Sequence, residues 1–333
     1  MHDLKELTLA ELIEICAGLG MKKFKAKEIF TFIHKKLKTN LNLLSTIKKE
    51  EREKLAKEYF ISDIELDKLQ KGKQIKKAAF VLKDNKRVET AFMDHRKDRK
   101  TVCVSTQVGC AIGCSFCATG AMGFKRSLTV GEILSQAYFF AKKSTVSNIV
   151  FMGMGEPFLN YDNVIKAAYI LNDECGLNIG ARRISISTIG IISGIKRLAD
   201  EKRQFRLAWS LVSPFDQMRS TLIEYEGLAP IDSVIIAIQD YQKKTKRRVM
   251  IEYVVLKGIN DGEKDIKKLI KIAREFDCHV NLIAYNPHHS SPFITGNIDR
   301  LESALRKANI LVTRRFSLGQ DISAACGQLT SKR

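Results

Sequence analysis

The run Val102-Cys-Val-Ser-Thr-Gln-Val-Gly-Cys110-Ala-Ile-Gly-Cys114-Ser-Phe-Cys117-Ala-Thr-Gly120 decides how this chain of 333 residues is read. Residues 101–106 read as a strand, and a loop with glycines at 109, 113 and 120 follows it. On that loop stand three cysteines spaced C-x3-C-x2-C. Four of the chain's eight cysteines fall within fifteen residues here, and eight in all are too sparse for a disulfide scaffold. A structural zinc ion wants four protein donors in a tetrahedron, and no nearby Cys or His supplies the fourth. Three thiolates suit a 4Fe-4S cluster with one iron left open to an outside ligand. Zinc, or buried free thiols, are the alternatives.

Downstream of the loop the pattern is strand, loop, helix, repeated. Strand candidates at 101–106, 148–152, 183–188, 205–211, 248–256 and 279–284 are separated by helical segments. Thr129-Val-Gly-Glu132 is a capping box ahead of Ile133, Leu134, Ala137 and Ala141. Ile266, Leu269, Ile270 and Ala273 share one helical face. Six alternations predict an α/β fold in which a parallel sheet curls into a partial (βα)6 barrel with helices outside. Function then belongs on loops at the carboxyl ends of the strands.

Upstream, residues 1–57 read as helices. Thr8-Leu-Ala-Glu11 is another capping box, Leu9, Leu12, Ile13 and Cys16 follow on one face, and Gly18 and Gly20 supply a stop. A second helix is predicted over 26–37. Ala78–Leu82 and Arg87–Met93 read as strands joined by a turn at Asp84-Asn85. This divides the chain into a small helical and β accessory domain over 1–95 and a barrel with its carboxyl-terminal segment over 96–333. The lysine-rich stretch 96–100 leads from one to the other.

The charge balance points to a partner. Lys and Arg number 56 against 37 Asp and Glu, a formal +19, which favours a polyanion, most often nucleic acid. The excess is densest in residues 1–100, with 25 basic and 16 acidic, so the accessory domain is the candidate nucleic-acid-binding part. Lys243-Lys-Thr-Lys-Arg-Arg248 and Arg314-Arg315 are candidates for phosphate contact, although charge runs are usually solvated faces. No apolar run approaches the roughly 18 residues that span a bilayer, and the first residues lack the pattern of a secretory signal. The expectation is a cytoplasmic monomer with no membrane contact.

Further runs narrow the reading. Phe24-Lys-Ala-Lys-Glu-Ile29, Phe151-Met-Gly-Met-Gly-Glu-Pro157, Arg183-Ile-Ser-Ile-Ser-Thr-Ile-Gly190, Ser210-Leu211, Ile251-Glu-Tyr-Val-Val-Leu256, Gly258-Ile-Asn-Asp-Gly262, Asn281-Leu-Ile-Ala-Tyr-Asn-Pro287 and Ala325-Cys-Gly-Gln-Leu329 appear in order. With the cysteine loop they resemble the radical S-adenosylmethionine superfamily. Within it they resemble the RlmN/Cfr family of ribosomal RNA adenine methyltransferases, over nearly the whole chain. The resemblance implies a 4Fe-4S cluster on Cys110, Cys114 and Cys117, with S-adenosylmethionine on its open iron and reductive cleavage to a 5′-deoxyadenosyl radical. Radical chemistry answers a real difficulty, since C2 and C8 of adenine are not nucleophiles.

The same resemblance implies the remaining roles. Cys326 would carry a methyl group and Cys103 would resolve the RNA–protein adduct through a transient disulfide with Cys326. Glu89 would be the general base, and Gly155, Glu156, Ser187, Ser210, Leu211, Val212 and Asn286 would contact S-adenosylmethionine. Implied partners are 23S rRNA, with tRNA as a further candidate, and an electron donor such as flavodoxin or ferredoxin. Without the resemblance each residue has a plainer reading: Cys326 and Cys103 as small core residues, Glu89 as a solvated strand face, the serines and Asn286 as turn formers. Cys16, Cys175 and Cys278 read as core or surface thiols.

One position departs from the family, which reads Ser-Leu-His where this chain has Ser210-Leu211-Val212; valine cannot replace an imidazole hydrogen bond. The run Ile184–Ile192 and Phe151–Glu156 lean towards the Cfr branch, and hence towards C8 over C2 as target. A radical activase acting on a protein would explain the cluster but neither the Cys326 motif nor the charge. A non-catalytic RNA-binding homologue is supported only by the missing histidine.

Overall fold

Thr8 opens the first helix, α1 (Leu9–Gly18): its hydroxyl accepts from the Glu11 amide at 3.3 Å and the Glu11 carboxylate accepts from the Thr8 amide at 2.7 Å. This reciprocal cap satisfies two amides that have no partner inside the helix. The computed structural model describes residues 1–95, 99–288, 291–315 and 318–330; the first three residues of the lysine-rich stretch 96–100 lie outside them. Helix α2 runs Lys23–His34, starting and stopping three residues before the predicted 26–37. Its first two residues, Lys23 and Phe24, are exposed and so add nothing to the apolar periodicity, and Leu37 already lies in the left-handed region at φ 55°. Helix α3 is Lys49–Glu58.

Three antiparallel strands follow: β1 (Glu65–Lys71), β2 (Ile75–Val81) and β3 (Arg87–Asp94). β2 and β3 form the predicted hairpin, with Asn85 at φ 60° in its turn. β1 was not foreseen, because Glu-Leu-Asp-Lys-Leu-Gln-Lys is exposed along most of its length and shows no buried alternation. The barrel strands are β4 (Lys100–Cys103), β7 (Asn148–Phe151), β8 (Ile184–Thr188), β9 (Arg206–Ser210), β10 (Val249–Val255), β11 (Cys278–Ala284) and β12 (Val312–Arg315). The short antiparallel pair β5 (Gln107–Gly109) and β6 (Phe124–Ser127) frames the cysteine loop. Helices α4 (Val130–Ala141), α5 (Tyr161–Asn172), α6 (Ile192–Asp200), α7 (Asp216–Leu222), α8 (Ile231–Thr245), α9 (Glu263–Arg274) and α10 (Ile298–Lys307) connect them.

Among the described residues one sheet holds ten strands in the order β12-β11-β10-β9-β8-β7-β4-β3-β2-β1. From β4 to β12 every pairing is parallel and sequential, which strand–helix–strand crossovers produce. The sheet curls: Arg315 Nη1 at the end of β12 lies 3.4 Å from Met152 Sδ just past β7, although four strands separate them in the order. A flat sheet could not bring those two residues together. Among the described residues there are seven parallel strands where the sequence predicts six, because Val-Thr-Arg-Arg in β12 has no apolar run to announce it. The sheet also continues past residue 95, since β3 pairs antiparallel with β4 (Ala91 opposite Cys103, Phe92 opposite Val102).

The amino-terminal helices seat on α4. Lys5 Nζ donates to Ser135 Oγ at 2.7 Å and also to the Ser62 carbonyl, and burial lowers its pKa to about 8. His34, fully buried, lies 2.6 Å from the Tyr138 hydroxyl through Nδ1 and packs on Phe30. The apolar residues of these helices and of the barrel form one continuous cluster. Among the described residues no helix is long and apolar enough to cross a membrane.

Burial, and then the Lys5 charge, push the His34 pKa down to about 3. The unfolded chain, with an ordinary imidazole near pH 6.5, therefore binds the extra proton between these values, so this stability is present above about 6.5 and lost as pH falls below it. Between pH 7.5 and 5.5 the unfolding free energy of the wild type should fall by about 1.4 kcal/mol more than that of His34→Gln. Urea titrations at the two pH values check this, and equal losses in both proteins would remove His34 as the cause.

Candidate active site

Strand β4 ends at Cys103, and the chain turns through β5 into the loop that carries Cys110, Cys114 and Cys117. Gly109 is required there: at φ 73° a Cβ would lie 1.8 Å from the Gly123 carbonyl oxygen across the β5–β6 pair. The three thiols line a cleft at the carboxyl ends of the parallel strands, as the barrel architecture predicts. The cleft is a partly open cavity of about 190 Å³.

Most of the predicted residues converge on it. Gly155, Glu156, Ser187, Ser210, Val212, Asn286 and Cys326 line the cleft with the three loop cysteines. The Ser187 and Ser210 hydroxyls lie 3.1 Å apart on neighbouring strands. Glu156 is buried, and its carboxylate accepts from the amides of Phe158 at 3.2 Å and Ile189 at 3.1 Å. Burial raises its pKa to about 7. Gly155 owes its identity to the protein itself, because a Cβ at φ 97° would lie 2.5 Å from the Gln107 side chain. That side chain accepts from the Glu156 amide at 3.1 Å. Gln107 thus positions the turn, a role no sequence signal announced.

Leu211, Glu89 and Cys103 lie outside this lining. The Leu211 side chain is buried in the main core, because alternation along the strand turns it away when Ser210 faces the cleft. Cys103 lines a second cavity beside the cleft and shares it with Cys326, Arg315, Met152 and Asn286. Both cysteines are free thiols, and burial, then the proximity of Cys326, pushes the Cys103 thiol up to about 12. Glu89 lies behind the Cys326 segment: Lys77 Nζ is 3.0 Å from its carboxylate, which also accepts from the Thr330 amide at 2.8 Å. Lys77 reaches the Ser323 carbonyl at 3.1 Å.

The Cys326 segment is fastened to the cysteine loop. The Ala118 amide donates to the Gly327 carbonyl at 2.8 Å, and Thr119 Oγ1 donates to the Leu329 carbonyl at 2.6 Å. From the other side Asn286 Nδ2 donates to the Cys326 carbonyl at 3.2 Å, and Gln328 Nε2 to the Pro287 carbonyl at 2.8 Å. Asn286 is therefore engaged with the protein as well as lining the cleft. Cys16, Cys175 and Cys278 are buried away from the site.

Val212 adopts a backbone that valine rarely takes. Its φ is 65°, and the Ser213 amide closes a three-residue turn on the Leu211 carbonyl at 2.7 Å. A β-branched residue in such a turn costs on the order of 1–3 kcal/mol, and only surroundings that over-determine the turn retain it. Two buried polar side chains do so. Asn260 Nδ2 donates to the Val212 carbonyl at 2.7 Å. Arg219, 0% exposed, donates to the carbonyls of Leu211 at 3.2 Å, Ile189 at 2.9 Å and Ala229 at 2.8 Å.

The donor set fits an iron–sulfur cluster. Cys114 feels the charges of both Cys110 and Cys117, and burial raises all three thiols, Cys110 to about 12. Such thiols are costly to ionise unless a cation compensates them. Among the described residues no three His, Cys, Asp or Glu side chains converge as ligands of one metal ion do. A cluster places each thiolate on a different iron, so it does not need that convergence.

A radical S-adenosylmethionine enzyme is the class that this fold and cleft define. Residues 104–270 match the radical SAM superfamily, and residues 2–61 match the ribosomal RNA large subunit methyltransferase N-terminal domain. A "probable dual-specificity RNA methyltransferase RlmN" of Dictyoglomus thermophilum is 40% identical over 99% of this chain and 97% of its own. The dual-specificity RNA methyltransferase RlmN of Syntrophotalea carbinolica is 36% identical over 99% and 90%. The crystal structure of a radical SAM methyltransferase from Sphaerobacter thermophilus is 41% identical over all of both chains, with a TM-score of 0.93. The chain belongs to the RlmN family of radical SAM RNA methyltransferases. Superfamily membership implies a 4Fe-4S cluster and S-adenosylmethionine.

Arg219→Met should remove three hydrogen bonds from backbone carbonyls, leaving Leu211 to the Ser213 amide, Ile189 to Trp209 Nε1 and Ala229 without its donor, at a cost of about 3 kcal/mol. For a chain of this size that lowers Tm by about 4 °C, which scanning calorimetry reads directly; an unchanged Tm would show that the guanidinium does not hold the cleft wall.

Proposed function

We propose that this chain methylates C2 of an adenosine in 23S rRNA, and an adenosine of tRNA as a second substrate, through a methyl group carried on Cys326. The observation that carries this reading is the seating of Cys326 in one cleft with Cys110, Cys114 and Cys117 while it shares the adjoining cavity with Cys103. C2 is preferred because the full-length relatives carry the RlmN name. C8 is the second reading, favoured by the run Ile184–Ile192 and by Phe151–Glu156.

Cys110, Cys114 and Cys117 would hold the 4Fe-4S cluster, and Glu156, Ser187, Ser210 and the backbone at Gly155 and Val212 would seat S-adenosylmethionine. When bound, these groups supply the methyl donor and the one-electron cleavage chemistry that an unactivated aromatic carbon requires. Cys326 holds the methyl group beside the cluster loop. Cys103 waits as a neutral thiol, which its burial favours; once it gives up its proton it would attack Cys326 Sγ, the S–S bond forming as the bond from that sulfur to the RNA-bound carbon breaks, and the carbon would keep the electron pair and take a proton to become the methyl group. Glu89 takes the ring proton. Its carboxylate is held by Lys77 and by the Thr330 amide, so the position of the base is tied to the segment after Cys326. Residues 1–95 would supply RNA contacts, and a flavodoxin or ferredoxin the electron.

Several variants test this. Anaerobically reconstituted protein should bind iron that Cys114→Ala loses; stoichiometric zinc without iron would overturn the cluster. Cys326→Ala should still cleave S-adenosylmethionine yet transfer no methyl, and Cys103→Ala should accumulate a covalent RNA–protein species. Nucleoside mass spectrometry should find 2-methyladenosine. Finding only 8-methyladenosine, with resistance to peptidyl-transferase antibiotics, would replace C2 by C8.

A further inference from the structure

Charge is distributed unevenly between the two ends of the barrel. The loops at the cleft end (104–128, 152–160, 189–191, 211–230 and 256–262) hold four basic against five acidic residues. At the opposite end, where the strands begin, the segments 142–147, 173–183, 200–206, 243–248 and 274–277 hold thirteen basic against six acidic. The end that must admit RNA to the chemistry is therefore nearly neutral, and the foot of the barrel is strongly basic.

The geometry gathers part of this charge at the lower mouth of the barrel. Arg206 alternates with Ala208 and with Ser210, which faces the cleft, so it faces the same lumen one layer further down. His279 stands likewise below Asn281 and Ile283 on β11, with Nε2 3.0 Å from Thr313 Oγ1. Arg99 and Arg248 immediately precede β4 and β10. Arg206 is within electrostatic reach of Arg99, of His279 and of Arg247, and Arg247 is within reach of Arg182.

Carboxylates balance the group only in part, through Asp277 on Arg248. Asp277 pairs with Arg248 at 2.8 Å and Asp200 with Lys244 at 2.5 Å, Glu201 is hydrogen-bonded by Tyr161 and Tyr169, and Glu252 faces His279 from inside the lumen. Arg182, Arg206 and Arg248 remain exposed. Arg182 and Arg206, without a carboxylate partner among the described residues, stand among like charges, an arrangement that suits phosphate, whose oxygens guanidinium groups contact in pairs.

We propose that the foot of the barrel, centred on Arg182, Arg206, Arg247 and Arg248, binds the phosphate backbone of an RNA segment remote from the methylated base. This rests on the RNA-methylating reading above. It makes the enzyme grip a long RNA on two ends of the barrel, while a short substrate engages only the cleft end and the accessory domain.

The test compares a long transcript spanning the target region of 23S rRNA with a short stem–loop carrying only the target adenosine. In Arg182→Gln/Arg206→Gln/Arg248→Gln the Kd for the long transcript should rise at least about tenfold. The slope of log K against log salt should fall by about 2, as expected for three lost phosphate contacts. Turnover of the stem–loop should stay at the wild-type level, and the matching triple lysine variant should recover most of the long-transcript affinity. Unchanged affinity and slope on the long transcript would overturn the proposal, as would equal loss on both RNAs. Intact RNA binding with turnover lost when flavodoxin is the reductant, but retained with dithionite, would assign the foot to an acidic redox protein instead. Failure of the wild type to methylate either RNA would strike the proposed function, while the binding comparison would still judge the foot.

Discussion

The site depends on one constraint, the fastening of the carboxyl-terminal segment to the cysteine loop. The Ala118–Gly327 and Thr119–Leu329 hydrogen bonds join stretches more than two hundred residues apart in the chain. Nothing local would hold Cys326 beside Cys117, since the segment after β12 has only one short helical turn, Gln320–Ile322, among its described residues. Loop closure over such a separation costs entropy once, and the contacts on both sides of the segment then act together. Asn286 and Gln328 fasten it to the end of β11, and Lys77 and Glu89 fasten it to the accessory strands.

This arrangement explains why the accessory strands share a sheet with the barrel. Lys77 on β2 and Glu89 on β3 form a buried pair, their side chains 6% and 7% exposed. A buried ion pair is weak evidence of stability in itself, but leaving one partner unpaired is strongly unfavourable. The pair therefore specifies a position more than it adds free energy. Because β3 is hydrogen-bonded to β4, that position is transmitted to Cys103. The two reactive thiols are thus located from the same short stretch of sheet, one by the strand it ends and the other by the segment the strand holds.

Much of the fold was legible because its determinants are local. The capping boxes at Thr8 and Thr129, the hairpin at Asn85 and the alternation of strand and helix all follow from near neighbours in sequence, and each is present. The lining of the cleft was legible through motif order. What escaped was either short and polar, as β1 and β12 were, or dependent on distant partners. Arg219 looks like an ordinary helical arginine, yet it is wholly buried and spans three loops. Gln107 gives no sign that it shapes the turn at Gly155. Leu211 differs again, because the motif carries it by adjacency whereas strand alternation sends its side chain to the core and leaves only its backbone at the strand end.

Val212 marks the point where sequence resemblance and local physics diverge. A histidine at this position could offer a ring hydrogen bond, and valine offers none. The turn it occupies is nevertheless retained at φ 65°. Its carbonyl is held by Asn260, and the preceding carbonyl by Arg219, so the backbone path is set by two buried polar side chains outside the turn. Asn260 in turn accepts from the Leu256 amide and donates to the Val254 carbonyl, fixing its amide plane to the end of β10. The cleft wall is thereby defined by backbone that other elements determine, and the side chain at 212 is free to vary in chemistry without moving it. Valine makes the wall apolar there, while the direction of the strand end, and the placing of Ser210 before it, are held by the same two hydrogen-bonding residues.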